Sequence, residues 1–173
     1  MNEILQSLKT RRSIRSYTDQ PVTREELDAV LEAGTYAPTA KGMQRVCIVA
    51  VTDRAVRDKL SAMNAAVLGT DNDPFYGAPV VLVVFGDSTW VNGDRDGSLV
   101  MGNLMAAAHA IGLGSCWINR ADQMFATDEG RALKEKWGVP AEYTGVGNCI
   151  LGHPAGPAPA PKPRKEGYII RVE

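Results

Sequence analysis

Apolar positions near the start of the chain recur three and four residues apart, and later they gather into short unbroken runs. Ile4, Leu5 and Leu8 share one helical face, which predicts a helix over residues 3–10 capped by Asn2. In "PVTREELDAVLEAG", Thr23 and Glu26 have capping-box spacing, Leu27, Val30 and Leu31 fall on one face, and Gly34 is placed as the C-cap. "YAPTAKGMQ" then reads as a loop around Pro38 and Gly42. "VCIVAV" at 46–51 and "APVVLVVFGD" at 78–87 are near-continuous apolar runs, the pattern of interior strands. Between them lie a helix starting at Asp53 and a loop, "TDNDPFYG".

The second half is patterned differently. "DSTWVNGDRDG" is polar and reads as a surface loop; its aspartates lack the spacing and closing Glu of a calcium loop. "SLVMGNLMAAAHAIGLG" is apolar almost all round, which predicts a helix buried on every side and, in so small a chain, a subunit interface. Asn103 and His109 interrupt it as satisfied buried polar groups, with Gly112 and Gly114 as its C-cap and turn. "SCWI" is a short strand, "TDEGRALKEKWGVP" a capped helix, and "YTGVGNCILG" a strand. The tail "HPAGPAPAPKPRK" is Pro/Ala-rich and so extended, while "GYIIRVE" regains strand character, as though the arm docks at a distance. Helices and strands alternate loosely, which gives an α+β layered fold, with residues 1–173 as one domain and 154–173 as an extended C-terminal arm.

Composition narrows the function. The net charge of -1 argues against general nucleic-acid binding, and the apolar helix is short for a bilayer. Cys47, Cys116 and Cys149 form no CxxC pair and read as reduced, buried thiols. His109 and His153 have no metal-ligand spacing, so no metal site is expected. "MNEILQSL" lacks the plan of a signal peptide, and the expected location is cytoplasmic. The three tryptophans, Trp90, Trp117 and Trp137, read as core or interface residues.

Against that near-neutral background, "RRSIR" at 11–15 and "KPRK" at 162–165 stand out. Guanidinium forks beside a serine hydroxyl suit a phosphate monoester. Neither cluster follows a glycine-rich strand–turn–helix, so Walker and Rossmann sites are poor explanations.

Across nearly its whole length the chain resembles the nitroreductase family of flavoproteins. "RRSIRSYTDQPVTREELDAVLEAGTYAPTAKGMQ" is similar to the family's opening, "GAPVVLVV" to its strand with a leading G-A-P, "NLMAAAHAIGLGSCWI" to its central helix and turn, and "ILGHPAGPAPAPKPRK" to its closing strand and basic clasp. The resemblance implies a central, mostly antiparallel sheet flanked by helices, in a homodimer with swapped terminal arms and two FMN sites at the subunit interface. It also implies ping-pong reduction of a small-molecule acceptor, such as a nitroaromatic or a quinone, by NAD(P)H through flavin N5.

By the same resemblance, Arg11, Ser13 and Arg15 hold the FMN phosphate and ribityl chain, with Arg12 also touching the cofactor. Lys162 and Arg164 form the C-terminal clasp on the phosphate. Gln44 is the glutamine after the A-P-[ST]-A stretch, and Ile118 and Asn119 run beside the isoalloxazine, offering a backbone N–H towards N5. No side-chain nucleophile is required; the flavin carries the chemistry. Lys41 and Arg120 are candidates for a positive charge beside the ring's N1. Gly42 replaces the family's usual flavin-bonding Asn. That departure leaves a sensor or carrier with little turnover as an alternative, alongside a dehalogenase or flavin-fragmenting relative on the same fold. The short 63–77 segment leaves no room for a long lid and predicts an open mouth.

Overall fold

The computed structural model describes residues 2–173. Its axis is strand β2 (Val80–Asp87), buried along its whole length. β2 pairs on one side with β1 (Val46–Val51) and on the other with β4 (Tyr143–Gly152), which in turn pairs with β3 (Gly114–Ile118). The order is β1-β2-β4-β3 and every pairing is antiparallel, so the fold is α+β with the expected antiparallel sheet.

Both faces of β2 are covered, which explains its unbroken apolar run. Val80, Leu82 and Val84 meet Val30 of α2 (Arg24–Thr35) and Val100, Met101 and Leu104 of α4 (Gly93–Ala110). Val81, Val83 and Phe85 meet Leu60 and Met63 of α3 (Arg54–Leu68), Met124 and Phe125 of α5 (Ala121–Ala126), and Leu133 of α6 (Asp128–Lys136). The result is a helix–sheet–helix sandwich, with α1 (Glu3–Thr10) at its margin. Trp137 packs on Phe125, ring centroids 5.8 Å apart.

Capping chemistry sets the helix starts. Asn2, Asp53 and Thr127 accept from the first-turn amides of α1, α3 and α6, and Thr23 and Glu26 close the full capping box of α2. Asn103 donates to the Ala33 carbonyl and His109 shares a hydrogen with Thr10, so both interrupting polar groups on α4 are satisfied.

Several expectations are corrected. Gly34 lies inside α2 and caps nothing; it is glycine because a Cβ there would stand 2.6 Å from Leu104 Cδ2. The polar stretch expected as a loop over 87–97 turns helical at Gly93, where Asp94 and Asp96 in the first turn complement the helix dipole. The turn into α4 requires two glycines: a Cβ at Gly86 would lie 2.3 Å from the Gly93 carbonyl oxygen, and one at Gly93 would lie 2.1 Å from that of Asp87. Within one chain α4 is buried on one face, and Leu99, on the other, is 47% exposed, the face an interface would cover. α5 carries too few residues to show a period in the sequence. "GYIIRVE" forms no strand, and Tyr168, Ile169, Ile170 and Val172 are exposed.

Candidate functional site

Segment 11–18 runs along the free edge of β3. Ser13 bridges Ser115 in parallel, and the Ile14 amide donates to the Ser115 carbonyl at 2.9 Å. The start of the C-terminal arm lies on the same segment: Thr18 donates to the His153 carbonyl, Ala155 to the Ser16 carbonyl, and Tyr17 bridges Pro154. The basic cluster is therefore held in place at both ends: Arg11 and Arg12 finish α1, and Ser13 and Ile14 are bridged to the edge of β3.

Two cavities meet at Arg15. One is a cleft of about 570 Å³ whose walls are the 68–76 stretch and the turn at Trp117–Arg120. The other, about 380 Å³, lies between Ser13–Ser16 and the arm at residues 155–159. The Arg15 guanidinium stands 5.9 Å from the centroid of the Tyr76 ring, across the cleft.

The cluster divides its labour. Arg12 Nη1 donates to the carbonyls of Lys9 and Arg11, 2.8 and 2.7 Å away, so Arg12 closes the C-terminus of α1. Arg11 Nη1 is buried and has no hydrogen-bond partner, as is Arg12 Nε. A buried guanidinium N–H without an acceptor is costly, and an anion resolves it. Burial first, and then the charges of Arg11 and Arg12, hold His109 below its ordinary range.

The cleft wall is braced from behind. Asp73 accepts from Arg57 Nη2 at 2.6 Å, from the amides of Phe75 and Gly77 at 2.8 and 2.7 Å, and from the Ser61 hydroxyl. Arg57, itself buried, also donates to the Ala78 carbonyl. Partial burial pushes the Asp73 carboxyl up, but these donors outweigh it and bring it down to about 2.

Among the expected site residues, Arg15, Ile118 and Asn119 share the cleft, and Ser13 opens on the adjoining cavity. Arg120, a candidate charge, also lines the cleft, in left-handed backbone with φ 75°. Gln44 does not join them: it lines a separate cavity with Leu31, Val46, Ile48 and Val100. Its loop carries three left-handed residues, Lys41, Gly42 and Gln44, and Gly42 is exposed with nothing near its missing side chain. Lys41 lies over the Trp90 ring, outside the cleft. Lys162 and Arg164 are exposed, line neither cavity, and Arg164 donates only to the Lys162 carbonyl. Trp117 packs against the core and also lines the cleft. Thr70, Asn72 and Tyr76 of the cleft wall carry no motif and were not singled out by the sequence.

The pattern of the nitroreductase family matches this chain over residues 8–71 and 65–153. An FMN reductase (NAD(P)H) of Bacillus subtilis is 30% identical over 181 residues, covering 95% of this chain and 70% of that one. An NADPH-flavin oxidoreductase of Vibrio harveyi is 28% identical, covering 98% and 73%. The crystal structure of a nitroreductase with bound FMN from Bacteroides fragilis superposes with a TM-score of 0.91 at 29% identity, covering the whole of both chains. The antiparallel sandwich thus has its counterpart in the fold of that nitroreductase. This chain belongs to the nitroreductase family.

Proposed function

We propose that the chain binds FMN with its ring in the cleft and its phosphate against Arg11, Ser13 and Arg15, and that NAD(P)H and a small acceptor, such as a nitroaromatic or a quinone, use the site in turn. Family membership and the two flavin reductases among its relatives make it an NAD(P)H-dependent flavin oxidoreductase with FMN as cofactor. The observation that carries the placement is the pairing of Ser13 and Arg15 where two cavities meet, supported by the buried, unpartnered Nη1 of Arg11, which lines neither cavity but stands two residues before Ser13. Bound flavin supplies hydride acceptance and donation. The protein's part is to hold the cofactor, fix one edge of its ring with the turn at 118–120, and leave one face open to substrates.

A homodimer completes the account. Gln44 and the Lys162–Arg164 segment, which one chain leaves away from the cleft, come in this reading from the second copy. The exposed apolar residues Ile4, Leu5 and Leu8 on α1, Leu99 on α4, and Tyr168, Ile169 and Ile170 on the arm support such an interface. Among the described residues no helix is long and apolar enough to cross a membrane. The free thiols support a reducing compartment, and the proposed location is the cytoplasm.

Arg120 is the charge the cleft offers to the ring. Arg120→Met is expected to weaken the preference for reduced over oxidised FMN about tenfold or more, which lowers the two-electron midpoint potential by about 30 mV or more. A potential unchanged in both Arg120→Met and Lys41→Met contradicts the assignment of a cationic partner. NADPH consumption with and without menadione tests turnover: acceleration by menadione is expected of the oxidoreductase, whereas indifference to it favours the sensor or carrier that exposed Gly42 suggests.

A further inference from the structure

Two asparagines with no solvent exposure sit directly behind the cleft. Asn64 on α3 donates Nδ2 to the Asn119 carbonyl at 2.8 Å. Its Oδ1 accepts from Arg120 Nε at 3.1 Å. Asn148 on β4, opposite Ile118 in the sheet, turns Nδ2 towards the carbonyls of Ile118 and Asn119 at 3.3 and 3.5 Å. Met124 Sδ lies against both amides.

The peptide between Asn119 and Arg120 is trans, as all described peptides are. In a trans peptide the C=O and N–H point in opposite directions. The Asn119 carbonyl is held towards the interior, so the Arg120 N–H faces the cleft. The left-handed φ of 75° at Arg120 is costly for a residue with a side chain and persists only where the surroundings impose it.

Stability alone does not account for these residues. Asn148 Oδ1 is buried without a partner, a destabilising feature that an apolar side chain of the same size would remove. Asparagine is also depleted in strands, and its neighbours Cys149, Ile150 and Leu151 are apolar and buried. The core here is less favourable than it needs to be, at the one place that backs the cleft turn.

We propose that Asn64 and Asn148 are positioning residues for the flavin ring: they lock the 118–120 turn from behind, aim the Arg120 amide into the cleft, and, through Asn64 Oδ1, tether the Arg120 side chain. The inference rests on the FMN reading above and adds to it which residues set affinity for the ring as opposed to the phosphate.

The test compares FMN with riboflavin, which shares the ring and lacks the phosphate, on the full chain by fluorescence titration. Asn64→Leu is expected to weaken both ligands by a similar factor, about tenfold, and Asn148→Leu by a smaller common factor. Because both asparagines act on one peptide, the double variant loses less than the product of the two single effects. Asn148→Leu removes an unpartnered oxygen and is expected to fold, so it carries the test if Asn64→Leu does not. Unchanged riboflavin affinity in both variants, a loss confined to FMN, or strictly multiplicative effects overturns the proposal. Wild-type protein that binds neither ligand overturns the FMN reading itself, and is recognised before any variant is made.

Discussion

Replacing Arg11 and Arg164 together with alanine lowers FMN affinity by at least about two orders of magnitude. Arg11 presents a buried N–H with no acceptor beside Ser13, and Arg164 sits on an arm whose guanidinium meets only its own backbone. If both grip one phosphate, each loss removes a charge-assisted hydrogen bond worth roughly 1.5–3 kcal/mol. Two such losses amount to a hundredfold or more in the dissociation constant. Riboflavin, with no phosphate, is expected to be nearly indifferent. The proposed exchange of arms between two copies has a sharper consequence. Mixing Arg11→Ala subunits with Arg164→Ala subunits yields heterodimers with one intact and one doubly damaged site, hence one tightly bound FMN per dimer. Unchanged FMN affinity in the double variant refutes the phosphate site. Two equally weakened sites in the mixed dimer refute the exchange of arms.

Removing the Asp73 carboxylate is expected to be the most damaging change outside the core. Asp73→Ala leaves Arg57 buried with one of its two carboxylate partners gone and frees the amides of Phe75 and Gly77. Breaking a fully buried charge pair costs about 3–5 kcal/mol; here Arg57 is buried but the Asp73 side chain is 35% exposed and Asp58 remains as a partner, so the cost is about 3 kcal/mol at most. For a chain of this length that corresponds to a melting temperature lower by up to roughly 6–12 °C. The carboxyl is held at about 2 when folded, below the value near 3.9 of the unfolded chain. A depressed carboxyl stabilises the fold above the unfolded value and loses that contribution as pH falls through the folded one. The stability gap between wild type and variant is therefore full above about pH 4 and narrows towards pH 2. Thermal melts at pH 7 and pH 3 check this; equal melting temperatures at pH 7 contradict the brace.

The parts of this molecule legible in its sequence are those where one residue's neighbours along the chain decide its state. α1, α2 and α3 announce themselves by apolar spacing and by caps at Asn2, Thr23 and Asp53. β2 does so by a run of apolar residues that only a strand covered on both faces accommodates. The misreadings share a cause. Gly34 looked like a cap because its contact is Leu104, far away in sequence. Gly93–Gly97 looked like loop because the two-glycine approach to β2 is a tertiary fact. The apolar arm tip looked like a strand because pattern alone does not supply a pairing partner.

The site divides in the same way. The basic cluster at 11–15 was visible as chemistry, and resemblance supplied Ile118 and Asn119, which do share the cleft with Arg15. Asn64 and Asn148 are not legible in the sequence, since an asparagine reads as solvent-facing until the register of its strand or helix is known. Buried asparagine within an apolar run, as in "GNCIL", is the signal that marks such residues.

An absorbance spectrum of the purified protein, followed in the same anaerobic cuvette by NADPH and then NADH, tests the central claim most directly. Flavin bands that bleach with either nucleotide are the predicted result and identify the donor. A colourless protein that stays so after FMN is added contradicts the cofactor assignment, and flavin bands that persist through both additions contradict the oxidoreductase.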